Sequence, residues 1–340
     1  ASDGWAPSLL YRNIGSESNP LIYEEVSEAA GIFSMLGMNI VTGAWGDYDN
    51  DGDVDVITGT TSTFPVFLYQ NNSDGTFTEV AEQAGLGDSF GSCRGTVWAD
   101  YDNDGDLDLY IARAKYDELP GMDISELWRN DDGIFHIVES ASLAGRTFRG
   151  VGWGDYDNDG DLDLYLAEEG RDDVLFRNDG NDTFVDVAST IGLTQYESPD
   201  GWGVLDIMNR GGQTWADWDG DGDLDVLLPS QSGNKPYLMQ NNGGNENNWL
   251  EVKLTGVVSN RSAAGARVTA VTGDLRQMRE ISIGAGYLSS PPLDCHYGFA
   301  STTIIDSLII KWPSGILDVY TNLNVNQILS LKEGDGATSV

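Results

Sequence analysis

The chain of 340 residues is long enough for one large or two ordinary domains, and its 55 acidic against 18 basic residues give a formal net charge of −37. A surface so acidic repels phosphate backbones and anionic lipid, which excludes nucleic acid and anionic membranes as partners. No run approaches the ~20 apolar residues of a spanning helix, and 42 glycines with 10% aromatic residues indicate an all-β, strand-and-turn protein.

In chain order, Ala1-Ser-Asp-Gly-Trp5 lacks the charged and apolar regions of a signal peptide, which leaves room for a cleaved export signal ahead of residue 1. Leu9-Leu-Tyr-Arg-Asn13 and Ile22-Tyr-Glu-Glu-Val26 then read as two short strands. The next feature is the nonapeptide Asp47-Tyr-Asp-Asn-Asp-Gly-Asp-Val-Asp55, which returns at 100–108, 155–163 and 217–225. Each copy places carboxylates at positions 1, 3, 5 and 9 and glycine at position 6, where the chain must turn sharply to gather oxygens around one ion. Calcium takes six to eight hard oxygen ligands, commonly with a backbone carbonyl among them, whereas zinc favours nitrogen and sulfur. Five carboxylates in nine residues repel by about 1 kcal/mol per close pair even in water, so an unliganded loop would be costly to fold. An EF-hand is ruled out, because position 12 holds Thr58, Ile111, Leu166 and Leu228 instead of glutamate and the flanks alternate as strands do.

The loops begin at intervals of 53, 55 and 62 residues. Each is entered by an apolar strand and left by another (54–59, 107–112, 162–167 and 224–229). A second hairpin follows, as in Leu68-Tyr-Gln-Asn-Asn-Ser-Asp-Gly-Thr-Phe-Thr-Glu-Val80, Leu127-Trp-Arg-Asn-Asp-Asp-Gly-Ile-Phe135 and Leu175-Phe-Arg-Asn-Asp-Gly-Asn-Asp-Thr-Phe184. Four strands per repeat describe a propeller blade. The strands near residues 9–26 match the second half of a repeat, so the chain opens in mid-blade. Either strands from elsewhere in the chain or a neighbouring molecule would complete that half-blade.

These segments resemble FG-GAP/VCBS repeats, the calcium-bearing blades also seen in integrin α-subunit propellers. The resemblance implies side-chain ligands at Asp47, Asp49, Asp51, Asp55; Asp100, Asp102, Asp104, Asp108; Asp155, Asp157, Asp159, Asp163; and Asp217, Asp219, Asp221, Asp225. It implies backbone oxygens from Asp53, Asp106, Asp161 and Asp223 and four Ca2+ ions in all. Loop 4 departs from the others in carrying Trp218 and Gly220 where they have tyrosine and asparagine.

After Gln240-Asn-Asn-Gly-Gly-Asn-Glu-Asn-Asn248 the composition changes, which divides the chain into 1–245, 246–334 and a tail at 335–340. Alternating segments at 249–254, 266–271, 279–283, 307–312 and 327–331 predict a small antiparallel sandwich. Asn248-Trp-Leu250, the run 259–268, Gly284-Ala-Gly-Tyr-Leu-Ser289 and Lys311-Trp-Pro-Ser-Gly315 resemble the ASPIC/UnbV domain, which accompanies such repeats in cartilage acidic proteins. His296-Tyr-Gly-Phe-Ala300 replaces that domain's usual Phe-Gly-Leu-Gly turn.

Catalytic signals are sparse. His136 and His296 read as packed or surface residues, and no nucleophile elbow, phosphate loop or zinc signature is present. Trp45, Trp98, Trp153 and Trp215 occupy one slot two residues before each loop and read as structural, which leaves Trp5, Trp128 and Trp202 as the candidate ligand-stacking residues. Asn71, Asn181 and Asn260 head glycosylation sequons. Cys93 and Cys295 either pair or stay as buried thiols. The expected protein is a secreted or cell-surface, calcium-stabilised adhesive propeller that binds protein partners or itself, and that forms filaments by strand complementation. A glycan-binding lectin and a metal-dependent sugar lyase or dehydratase are the alternatives.

Overall fold

The computed structural model describes residues 9–15, 22–32, 40–60, 64–113, 124–139, 147–168, 173–193, 212–228, 236–286 and 289–336. Strands β1 (Tyr11–Asn13) and β2 (Tyr23–Glu25) form a two-stranded antiparallel pair, followed by the one-turn helix α1 (Ser27–Ala30). Three four-stranded blades come next. They are β3 (Ile40–Gly46), β4 (Asp55–Thr60), β5 (Phe67–Asn71) and β6 (Phe77–Glu79); β7 (Cys93–Ala99), β8 (Asp108–Arg113), β9 (Glu126–Asp131) and β10 (Ile134–Ile137); and β11 (Phe148–Gly154), β12 (Asp163–Glu168), β13 (Val174–Asn178) and β14 (Phe184–Asp186). The fourth sheet holds three described strands, β15 (Thr214–Ala216), β16 (Asp225–Leu228) and β17 (Tyr237–Met239).

The acidic nonapeptides join strands one and two of every blade, as the alternating flanks predict. Register is the same each time: Gly46 faces Asp55, Ala99 faces Asp108, Gly154 faces Asp163 and Ala216 faces Asp225. Pairing therefore pins the last aspartate of each loop beside its first. Successive inner strands β3, β7, β11 and β15 lie against one another, and a slot tryptophan fills each gap. The indole of Trp98 donates to the Ala44 carbonyl at 3.2 Å. A Cβ at Gly46 would stand 2.8 Å from that ring, so the close approach of blades requires glycine there.

The half-blade stands in the same relation to blade 1 as blade 1 does to blade 2. Gly31, with φ +79°, turns beneath the Phe77 carbonyl as Gly85, with φ +91°, turns beneath that of Phe135. Leu9, Tyr11, Ile22 and Tyr23 remain exposed on it.

The C-terminal module has two sheets around one apolar core that includes Leu250, Val268, Tyr297, Leu308 and Trp312. One sheet orders β21 (Cys295–Gly298), β18 (Trp249–Thr255) and β24 (Gln327–Lys332). The other orders β20 (Leu275–Glu280), β19 (Arg267–Thr272), β22 (Ile304–Lys311) and β23 (Leu317–Asn324). The sandwich is antiparallel except where β18 and β24 run parallel, from Leu250 against Gln327 to Thr255 against Lys332. Nearly the whole module separates those two strands in sequence, which supplies the long crossover that parallel pairing needs. The module is not a detached appendage, since its Met278 and Ala285 are buried in the same cluster as Trp98, Leu109 and Val151 of the blades.

Cys93 and Cys295 are both buried, free thiols, and burial pushes each up to about 12, so neither is a reactive thiolate. Trp128, one of the three candidate ligand-stacking residues, is buried, with its indole N–H donating to Glu126 Oε2 at 3.1 Å. Its hairpin lies under a neighbouring blade, which the sequence pattern did not reveal. Trp5 and Trp202 lie outside the described residues.

Candidate metal centres in the blade loops

Each loop begins by turning back on itself. The position-6 glycines Gly52, Gly105, Gly160 and Gly222 have φ between +98° and +107°, a region closed to side chains. The first aspartate accepts the glycine N–H in loops 1, 3 and 4, at 3.0 to 3.1 Å. The ninth aspartate is the hinge of the blade. One oxygen of Asp55, Asp108, Asp163 and Asp225 accepts the N–H of the loop's second residue at 3.0 to 3.2 Å. The other oxygen accepts the N–H of Asn71, Asn130 or Asn178 on the third strand, or of Asn241 just beyond it, at 2.7 to 2.9 Å.

Positions 1, 3 and 9 converge in all four loops. Asp47, Asp49 and Asp55; Asp100, Asp102 and Asp108; Asp155, Asp157 and Asp163; and Asp217, Asp219 and Asp225 each present carboxylate oxygens within 4.8 Å of one another. The fifth-position residues Asp51, Asp104, Asp159 and Asp221 stand outside these groups. One oxygen of each accepts the N–H two residues on, at 2.8 to 3.3 Å, and shapes the turn. Side chains at position 7 are used between loops: Asp106 accepts from Asn50 at 2.5 Å and Asp161 from Asn103 at 2.9 Å.

The donor chemistry fits a hard divalent cation. Asp100 is 1% exposed and neither of its carboxylate oxygens makes a well-formed hydrogen bond, the Gly105 N–H and the Arg279 charge easing it only in part, and Asp47 Oδ1, Asp157 Oδ1 and Asp223 Oδ1 are likewise buried and unpartnered. Burial raises the affinity of these carboxylates for protons, to about 8 at Asp55 and Asp155, about 7 at Asp100 and Asp223, and about 6 at Asp102 and Asp157. Neighbouring aspartates add to the rise. Burying converged like charges is costly; Arg267 and Lys311 beside Asp47 and Arg279 near Asp100 and Asp155 offset part of that cost, and one metal ion among three carboxylates would offset the rest. All-oxygen donors favour calcium over zinc.

Two sets of residues went unnoticed in the sequence. The hairpin asparagines latch each blade to the preceding loop: Asn130 donates to the Tyr48 carbonyl at 2.7 Å, Asn178 to that of Tyr101 at 2.9 Å and Asn241 to that of Tyr156 at 2.6 Å. Their recurrence after Leu-x-x was the available signal. The fourth-position asparagines reach forward instead, Asn158 donating to the Gly222 carbonyl at 2.9 Å. This explains the departure in loop 4, where no further acidic loop follows. A Cβ at Gly220 would meet nothing within 4 Å, and Trp218 is 63% exposed where Tyr48 and Tyr101 are buried.

The module sits directly on these loops. Arg267 binds Glu280 at 2.8 Å and donates to the Asp47 carbonyl and to Asn50. Lys311 Nζ lies 3.9 Å from Asp47 Oδ2. Between the module and the inner strands lies a cavity of about 220 Å³, lined in part by Trp98, Trp153, Trp215, Arg279 and His296.

Comparison with known proteins agrees with this geometry. Residues 47–111 and 155–211 match the FG-GAP-like repeat family, and residues 256–338 match the ASPIC and UnbV family. This chain carries FG-GAP-like repeats and an ASPIC/UnbV domain. Among its relatives is cartilage acidic protein 1, at 28% identity for the Xenopus tropicalis protein over 84% of this chain and 44% of that one. The Homo sapiens protein is 29% identical over 74% of this chain and 37% of its own length. This FG-GAP chain thus spans less than half the length of those relatives. A solved lectin from Agrocybe aegerita, described as recognising non-reducing terminal N-acetylglucosamine, aligns over 70% of this chain and 62% of its own, with 18% identity and a TM-score of 0.37. A likeness that remote carries no argument about ligands.

Neither histidine of the FG-GAP protein is placed as a general base. His136 is exposed on β10, 3.6 Å from Asp131. Burial lowers His296 to about 3, so it is neutral at physiological pH. The amide of Asn158 is oriented by its N–H bonds to Gly222 and Gly244, so its oxygen faces His296 Nε2 at 2.6 Å and that nitrogen carries the proton.

Proposed function

We propose that this protein is an extracellular, calcium-dependent scaffold whose blades bind protein partners. Four three-carboxylate clusters carry the reading, three of them with buried, unpartnered oxygens, above all at the buried Asp100. Calcium in each cluster neutralises the converged acids and stiffens the loop that links strands one and two, while the blade faces remain free for partners. The relatives' name, cartilage acidic protein 1, ties them to cartilage and to acidity, and this chain shares the acidity. No helix among the described residues is long and apolar enough to cross a membrane.

The exposed apolar residues of the two-stranded β1–β2 sheet support assembly at that sheet, by strand addition from a protein partner or a second copy. Isothermal titration with calcium, followed by electron microscopy with and without chelator, tests both parts. Four ions bound at up to millimolar calcium, and particles that grow only in its presence, are expected. No calcium uptake would sink the reading; uptake by strictly monomeric particles would remove the assembly. The cavity beside Trp98, Trp153 and Trp215 favours a second reading, a small glycan ligand, to be checked on glycan arrays with and without calcium.

A further inference from the structure

Loop 3 is gripped by the ASPIC/UnbV module through its own candidate ligand. Asp155 Oδ2 accepts two backbone N–H groups at 3.0 Å, one from Gly160 within the loop and one from Gly298 of the module. A Cβ at Gly298 would collide with that oxygen and with the Asn158 backbone. Two residues on, the Ala300 N–H donates to the Asn158 carbonyl at 2.8 Å, and Asn247 donates to the Asp157 carbonyl at 2.8 Å. Asn158, held at φ +56°, also contacts His296 and loop 4. The module therefore reads the conformation of one metal loop with four hydrogen bonds, counting that of His296.

Gly105 in loop 2 shows the contrast, since a Cβ there would meet nothing within 4 Å, while Gly160 is covered by Gln277 and Gly298. A cation held by Asp155, Asp157 and Asp163 would draw the three carboxylates together. It would thereby fix Asp155 Oδ2 toward Gly298 and hold the left-handed turn that presents the Asn158 carbonyl. Without it, nothing ties the three carboxyl groups to one another and the acceptors are free to move.

We propose that calcium binding in loop 3 and docking of the ASPIC/UnbV module are one linked equilibrium, with Gly298 and Asn158 as the positioning residues. This rests on the calcium reading above. Linkage is reciprocal, so whatever loosens the module weakens that ion by the same factor.

Three consecutive amides provide the test. Gly298 and Ala300 donate to loop 3, whereas Phe299 between them donates to Asn248 inside the module at 2.7 Å. Residue-resolved amide exchange of the full chain, with millimolar calcium and after chelation, should show Gly298 and Ala300 exchanging at least tenfold faster without calcium. Phe299 and the β22 and β23 amides should keep their protection. In a calcium titration, Gly298→Ala should weaken one ion about tenfold and leave the rest unchanged, whereas Asn158→Ala, which also removes the bond to the Gly222 carbonyl, should weaken the ions of loops 3 and 4 and leave those of loops 1 and 2 unchanged. Unchanged exchange at 298 and 300 in a protein that binds calcium overturns the linkage alone, as does a uniform loss of protection across β22 and β23. Absence of calcium binding overturns the functional reading, and the linkage with it.

Discussion

Glu333 in the module and Asp100 in blade 2 are both buried acids, and they are held in opposite ways. Glu333 accepts the backbone N–H groups of Val257, Val258 and Ser259 at 2.6 to 2.8 Å and the hydroxyls of Ser259 and Ser314 at 2.8 and 2.5 Å. Burial alone would raise its pKa, but these donors outweigh it and bring the group down to about 2. Asp100 makes no well-formed hydrogen bond from either oxygen, and burial, only partly countered by Arg279 and the Gly105 N–H, drives it up to about 7. A carboxylate saturated by donors needs no ion, whereas carboxylates converged on one another do. On the proposed calcium reading, the module stands without metal and the blades do not.

Calcium withdrawal should break that symmetry most strongly. Each site contributes about 2.7 kcal/mol at a hundredfold excess of free ion over its Kd, so calorimetry with and without chelator should show the blades losing several kcal/mol while β22 and β23 persist. Glu333→Ala comes next. Three N–H groups lose a charged acceptor, which should cost about 3 kcal/mol in urea unfolding whether or not calcium is present. The same group sets a pH dependence. Its folded pKa lies below the unfolded value of 4.5, so its contribution is complete above about pH 4.5 and disappears as pH falls through about 2.

Asp100→Asn should have opposite signs in the two conditions. It removes one ion and destabilises in calcium, but in chelator it relieves a buried charge that Arg279 offsets only in part and should stabilise by about 1 kcal/mol; destabilisation in both would contradict the cation requirement. Smallest is Trp218→Ala, expected within about 0.5 kcal/mol because the ring is exposed. A loss of several kcal/mol there would mean that loop 4 is covered by something else.

Much of the site was legible because its chemistry is local. Nine consecutive residues fix the carboxylates, the glycine turn and the flanking strands, and repetition at intervals of 53 to 62 residues turns one hairpin into a blade. The strands at 249–254 and 327–331 were also visible from alternation, but β21 and β23 were missed, and 279–283 fell late of β20 at Leu275–Glu280. Their faces are partly buried against other elements, which blurs the period of two.

The sequence by itself determined the four acidic loops, their oxygen chemistry, the all-β repeats and the change of composition near residue 245. Only the tertiary structure decided how those parts act on one another. It moved the fifth-position aspartates out of the carboxylate clusters, buried Trp128, and used the hairpin asparagines to latch one blade to the last. It also set the module on loops 1 and 3 and placed β24 parallel to β18. Each of these depends on contacts between residues far apart in the chain, and the periodicity of a strand encodes only which face is buried, not what covers it.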